Sequence, residues 1–231
     1  MFLVFEDVPW LGSERSSPKT MNIRLREGST VAIVGPSHSG KSTLLLMAAR
    51  YIRPAHGRVY IRHDESKDAA PVRPDASMIG LGPIQGFSPL FDTLTVREHI
   101  YSQLKLLRQK AARQRTQELL QTYNLTAEAK SRIKDLDQYA LFRTSLAVAT
   151  AGRPKFVLLD EPLKGLSEEQ CVEAQQYFRS LNENDVGVLF TSVVSSTLTD
   201  VDMVIRLSEG EVEIRADADR NAGRVDAFVA K

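Results

Sequence analysis

The chain has 231 residues, 30 Lys and Arg against 29 Asp and Glu for a net charge of +1, 42% hydrophobic residues and one cysteine. That length can bury a core without staples, the balanced charge gives no general case for nucleic acid as a partner, and the lone Cys171 excludes an intramolecular disulfide framework and suits a reducing compartment. No apolar run approaches bilayer-spanning length, and the start Met1 to Glu6 lacks the basic residues and cleavage site of a signal peptide, so a cytoplasmic chain is expected.

Phe2 to Phe5 reads as a strand, Met21 to Leu25 as a second with Ile23 and Leu25 alternating, and Val31 to Val34 as a third. The third runs into Gly35-Pro36-Ser37-His38-Ser39-Gly40-Lys41-Ser42, a Gly-x-x-x-x-Gly-Lys-Ser loop. The apolar run Leu44 to Ala49 follows, inside a helix expected from Lys41 to about Tyr51. Strand, loop and helix in that order form a cradle for a nucleoside triphosphate. Gly35 and Gly40 let successive backbone N–H groups turn inward on the phosphates, and the helix start adds partial positive charge. Lys41 can reach the β and γ phosphates and the Ser42 hydroxyl can ligate Mg2+, while Pro36, Ser37, His38, Ser39 and Thr43 complete the cradle. Histidine is one of the few residue types besides glycine tolerated at positive φ, so His38 is compatible with this loop.

Pro54 and Gly57 end that helix, Arg58 to Arg62 reads as a strand, the charged, proline-bearing stretch Asp64 to Asp75 as an exposed loop, and Met78 to Leu81 as a short strand. From Thr95 to Tyr123 the apolar spacing becomes helical through Val96, Ile100, Leu104 and Leu107, then Leu119, Leu120 and Tyr123. Thr95 with Glu98 predicts a capping box at its start. Lys105, Arg108, Lys110, Arg113 and Arg115 cluster on this block, the usual pattern of a solvated helix face, with a phosphate-rich membrane surface or an acidic partner as the alternative. A helix over Gln138 to Ala151, the strand Phe156 to Leu159, a helix over Ser167 to Leu181, the strand Val186 to Thr191, strands near Met203 to Leu207 and Glu211 to Ile214, and a loosely ordered polar tail from Ala216 complete the expectation.

The strand Phe156 to Leu159 ends in Asp160-Glu161-Pro162. Downstream of the phosphate loop, this places Asp160 across from Ser42 to organise Mg2+, and Glu161 one residue further to orient or deprotonate an attacking water. Glu161 and Lys41 are therefore the expected catalytic pair.

The stretches Gly35 to Leu45, Leu90-Phe91-Asp92-Thr93-Leu94-Thr95-Val96-Arg97-Glu98 and Gly152-Arg153-Pro154-Lys155 through Pro162 together resemble the ATP-binding cassette (ABC) subunits of membrane transporters, over about Phe2 to Val212. The resemblance implies an α/β P-loop fold of ABC type, a mixed sheet core with an N-terminal antiparallel β part and a helical subdomain at about 86–151 inserted in a cassette of residues 1–215, followed by the tail 216–231. It implies ATP and Mg2+ as cofactors, and a dimer with a second ABC subunit, identical or different, in which ATP lies between one subunit's phosphate loop and the other's signature loop. A membrane-spanning permease subunit would dock near the helical subdomain and hold the chain peripherally on the inner face of the cell membrane. It also implies an aromatic residue stacked on adenine, for which Trp10 is the candidate, and a glutamine at the metal after the Met78 strand, which aligns near Ile84 with Gln85 one place off.

The pattern departs from the family at its other half. Where Leu-Ser-Gly-Gly-Gln is expected the chain reads Leu136-Asp137-Gln138-Tyr139-Ala140, with no glycine between Gly86 and Gly152. The switch histidine's position holds Val193, with Ser192 beside it, and all four histidines lie at or before His99. The aspartate that usually follows the acid pair is Ser167. The expected function is thus an ATP-binding transporter subunit that hydrolyses slowly or only with a partner cassette. The alternative is a non-hydrolysing, ATP-gated regulatory or scaffold module of the same fold.

Overall fold

Alternating apolar residues at the start of the chain pair as read: β1 (Phe2–Pro9) lies antiparallel to β2 (Thr20–Arg26), with Phe2 opposite Arg26 and Phe5 opposite Ile23. A register shift between Phe5 and Val8 accommodates Asp7, which sits at φ 52°. β3 (Thr30–Val34) leads through the loop to α1 (Lys41–Ala48), which stops short of the expected Tyr51 because Arg50 turns into the left-handed region at φ 64°. β4 (Arg58–Arg62) returns antiparallel to β1, and β5 (Ile79–Leu81) starts the second half of the fold.

The helical block over Thr95 to Tyr123 consists of two helices, α2 (Val96–Leu106) and α3 (Ala112–Thr122), separated by a reversal in which Arg108 and Ala111 adopt φ 52° and 54°. The capping box is present, the Thr95 hydroxyl accepting from the Glu98 N–H at 3.2 Å and the Glu98 carboxylate accepting from the Thr95 N–H at 2.9 Å. Two short 3-10 turns precede α4 (Gln138–Ala149). Then come β6 (Phe156–Leu159), α5 (Glu168–Glu183), β7 (Gly187–Ser192), β8 (Met203–Ser208), β9 (Glu211–Ala216) and β10 (Val225–Ala230). These positions come from a computed structural model that describes residues 1–9, 20–63, 70–193, 198, 200–208, 211–216 and 225–230.

The strands form a four-stranded antiparallel sheet, β10-β2-β1-β4, and a six-stranded sheet, β5-β6-β7-β3-β8-β9, parallel except for the β8–β9 pair. The tail is therefore not wholly irregular: Val225 to Ala230 lies along the remaining edge of β2, from Leu25 to Thr20. An edge strand offers a row of unpaired backbone groups, and Val225 to Ala230, five of whose six residues are apolar, satisfies them along β2.

Side-chain alternation assigns the larger sheet's two faces. Val31 and Ile33 of β3 join Leu44 and Leu45 of α1 and Leu3, Ile23 and Leu25 of the smaller sheet in one core, while Ala32 and Val34 join the core containing Phe178 and Phe190. β6 divides likewise, Phe156 and Leu158 to the first core, Val157 and Leu159 to the second. An unbroken apolar strand is what a sheet covered on both faces requires. The covered sheet holds the ends of β3, β6 and β7 side by side, and the phosphate loop and acid pair leave from those ends.

Candidate nucleotide-binding site

Packing leaves no room for a side chain where the loop begins: a Cβ at Gly35 would lie 2.6 Å from the Leu207 carbonyl oxygen. The Gly35 N–H donates to the Ser192 carbonyl at 3.1 Å, tying the loop to the end of β7. His38 adopts φ 66° and Gly40 φ 91°, the left-handed geometry that turns the backbone into a cradle. Gly40 is the N-cap of α1 and supplies no side-chain cap, so the helix's first N–H groups face the loop without a side-chain partner, an arrangement that attracts anions. Ser39 Oγ is shielded from solvent and has no hydrogen-bond partner.

Lys41 is 4% exposed, and its ammonium donates to the Gly35 and Pro36 carbonyls at 2.9 and 2.8 Å. Burying a charge this deeply costs free energy unless it is paired, and the loop's own carbonyls do the pairing. Glu161 Oε1 stands 3.8 Å from the same ammonium. The Ser42 hydroxyl lies 2.9 Å from both oxygens of Asp160, so β3 and β6 bring together residues 118 positions apart. The four expected actors, Lys41, Ser42, Asp160 and Glu161, thus form one cluster.

One member was not anticipated. Thr191, fully buried near the end of β7, donates to Asp160 Oδ1 at 2.7 Å and accepts from the Glu161 N–H at 2.8 Å. This second bond matters because Glu161 sits at φ 45°, a conformation disfavoured for a side chain of its size. A polar residue near the end of an otherwise apolar strand beside the acid strand was the available signal. Thr191→Val keeps the shape and removes both bonds, and should lower unfolding free energy in urea titration by about 1–3 kcal/mol.

Other candidates fall elsewhere. Gln85 is exposed in a tight turn closed between Ile84 and Ser88, while Ile84 is buried in the core. Trp10 lies outside the described residues. Val193 follows β7 and is 39% exposed.

The segment Leu136 to Ala140 starts α4, and Asp137 is its N-cap, its carboxylate accepting from the Ala140 N–H at 2.7 Å. This helix start carries its own anion, the reverse of α1. Tyr139 packs on Phe142 with ring centroids 6.0 Å apart, and burial together with the neighbouring Glu173 carboxylate pushes its phenol up from the ordinary range.

A third feature is an apolar groove of about 400 Å3 between the Ile84–Ser88 turn, the end of α1 and α2. Tyr51, Phe87, Phe91 and Leu106 line it while 62%, 47%, 59% and 79% exposed. Buried His99 stands at its floor, its Nε2 accepting from the Phe91 N–H at 3.0 Å, and burial holds its imidazole below the usual range. Clustered exposed aromatics around a groove mark an interaction face more often than a bare surface.

The residues fit Mg-ATP. A cradle of inward N–H groups, an orphaned Ser39 hydroxyl and a buried ammonium suit phosphates, and a single carboxylate with a hydroxyl suits a hard cation that completes its shell from phosphate and water. Among the described residues no group of three or more His, Cys, Asp or Glu forms a self-contained metal cage, and no helix is long and apolar enough to cross a membrane.

Comparison with known proteins gives the same picture. The ABC transporter family pattern matches residues 18–164. The spermidine/putrescine import ATP-binding protein PotA of Acidothermus cellulolyticus is 31% identical over 198 residues, 84% of this chain and 50% of that protein. The lipopolysaccharide export ATP-binding protein LptB of Acidithiobacillus ferridurans is 27% identical over 84% of this chain and 81% of its own length. This chain spans about half the length of the PotA relatives it matches. A bacterial ABC transporter cassette solved as a dimer superposes with a TM-score of 0.74 at 25% identity, covering 93% of this chain and 98% of that one.

Proposed function

Because the chain belongs to the ABC transporter family, we propose that it is the ATP-binding subunit of a membrane transporter, located on the cytoplasmic face and held there by its permease. The observation that carries this reading is the cluster in which Ser42 meets Asp160 while Glu161 stands beside Lys41. Gly35 to Thr43 would hold the phosphates, with Lys41 exchanging its carbonyl partners for phosphate oxygens. Ser42 and Asp160 would hold Mg2+, and Thr191 keeps Asp160 turned toward Ser42. Mg-ATP supplies the phosphoryl group and the cation that neutralises its charge. Glu161 accepts a proton from water at a carboxylate oxygen, its backbone locked by Thr191.

The groove lined by Tyr51, Phe87, Phe91 and Leu106 is the face for the permease, since an apolar cytoplasmic segment of that subunit would cover the exposed rings. Asp137 favours a second reading beside the first. A helix start already capped by a carboxylate is a poor receiver of a partner's γ-phosphate, which suits either a dimer with a different, better-equipped cassette or an ATP-gated scaffold that does not turn over.

Binding of a fluorescent ATP analogue tests the nucleotide site. Lys41→Ala should weaken it by about tenfold or more, since a buried charge-assisted contact is worth roughly 1.5–3 kcal/mol. Equal affinity in the variant and the wild-type protein would sink the site assignment. Detergent extraction followed by affinity pull-down should recover a multi-span membrane protein, and recovery of soluble partners alone would count for the scaffold.

A further inference from the structure

Glu161 is held from two sides. Lys41 Nζ stands 3.8 Å from its Oε1, and Lys164 Nζ stands 3.1 Å from its Oε2. Resting on the reading of Glu161 as the acid beside the phosphates, we propose that Lys164 is a positioning residue that fixes the Glu161 carboxylate and offsets its charge when Lys41 turns to the phosphates.

Lys41 cannot do both. Its ammonium already donates to two loop carbonyls and is 4% exposed, so a polyanion entering the cradle claims the one buried cation there. Glu161 would then face the phosphates as a like charge, which weakens binding of whichever nucleotide brings the most negative charge nearest. Lys164 pairs with the other carboxylate oxygen, Oε2, and so can stay with Glu161 when Lys41 turns away.

The backbone is built to keep it there. The Lys164 N–H donates to the Glu161 carbonyl at 3.1 Å, closing a turn that Gly165 completes at φ 78°. Leu163 within that turn is 7% exposed and anchors it to the core, while the Lys164 side chain is 66% exposed at the mouth of the site. The three-residue offset is therefore fixed by packing, and the ammonium remains free to follow the carboxylate. Val193, at the position where the family places its histidine, is aliphatic and offers neither charge nor hydrogen bond to the same group.

The test compares Mg2+-dependent binding of fluorescent ATP and ADP analogues to wild type, Lys164→Gln, Lys164→Arg, Glu161→Gln and the Glu161→Gln/Lys164→Gln double variant. Lys164→Gln should weaken ATP by about three- to tenfold, the size expected of one partly screened charge, and leave ADP unchanged. Lys164→Arg should restore ATP affinity. In the Glu161→Gln background the Lys164 change should have no effect, because the carboxylate it offsets is gone. An unchanged ATP-to-ADP ratio in Lys164→Gln overturns the proposal. So does an equal loss in the Glu161→Gln background, which would make Lys164 a direct phosphate contact. Failure of the wild-type protein to bind either analogue would instead overturn the nucleotide reading itself, and this proposal with it.

Discussion

Replacing Glu161 by glutamine is expected to cut phosphate release by about 10²–10⁴-fold while leaving ATP bound, because the change removes a general base and little else. The geometry explains the split. Among the described residues the Glu161 carboxylate pairs with the ammoniums of Lys41 and Lys164, and its backbone is held independently by Thr191. Glutamine can keep the left-handed turn and the hydrogen bond from residue 161 to Thr191, so the cradle should survive intact. Loss of repulsion between carboxylate and phosphate should also tighten ATP. The measurement is a single-turnover assay of phosphate release beside retention of labelled ATP after gel filtration. A variant that releases phosphate at the wild-type rate would show that Glu161 takes no proton, and absence of release from the wild-type protein as well would favour the scaffold reading.

How much of this arrangement could be read in advance follows from the range of the interactions. The phosphate loop was legible because its requirements are local: glycines for the backbone, a lysine and a hydroxyl at fixed offsets, and a strand and helix on either side. Asp160 and Glu161 were legible only by their dependence on that loop. Thr191 was not, since its two bonds cross 31 and 30 residues and nothing near it in the chain calls for a hydroxyl. The break between α2 and α3 escaped for the opposite reason. It contains no glycine or proline, and the reversal rests on Arg108 and Ala111 in a conformation that local preference disfavours. β10 was hidden because the short run Val225 to Ala230 follows a polar stretch of the chain and its strand is specified by the free edge of the distant β2. Counting along the sequence leaves Ile84 and Gln85 one place apart, and in that tight turn the isoleucine is buried and the glutamine exposed.

Restoring the start of α4 should have the other large effect. Leu136 is already in place, so Asp137→Ser, Gln138→Gly and Tyr139→Gly would remove the carboxylate and the bulky side chains from the first turn of this helix. Serine remains a good N-cap but brings no charge, so the helix should still form while the negative field at its start disappears. Each backbone donor presented to a transition-state phosphate is worth about 10²–10³-fold in rate. Turnover of the purified variant alone is therefore expected to rise by about 10²-fold, with ATP affinity at the unchanged phosphate loop nearly the same. Two glycines in the first turn and loss of the Tyr139–Phe142 contact should cost about 2–3 kcal/mol of stability, a shift that thermal unfolding would register. If turnover does not rise in a variant that still folds, the self-capped helix is not what limits a pair of identical chains. The deficit would then lie beyond β7, where the Val193 side chain offers no hydrogen bond, and a Val193→His variant should supply the missing rate. A rise on mixing unmodified chain with a cassette that carries an intact signature would instead mean that α4 was never meant to receive the phosphate, and that Lys41, Ser42, Asp160 and Glu161 work with a partner's helix start rather than with a copy of their own.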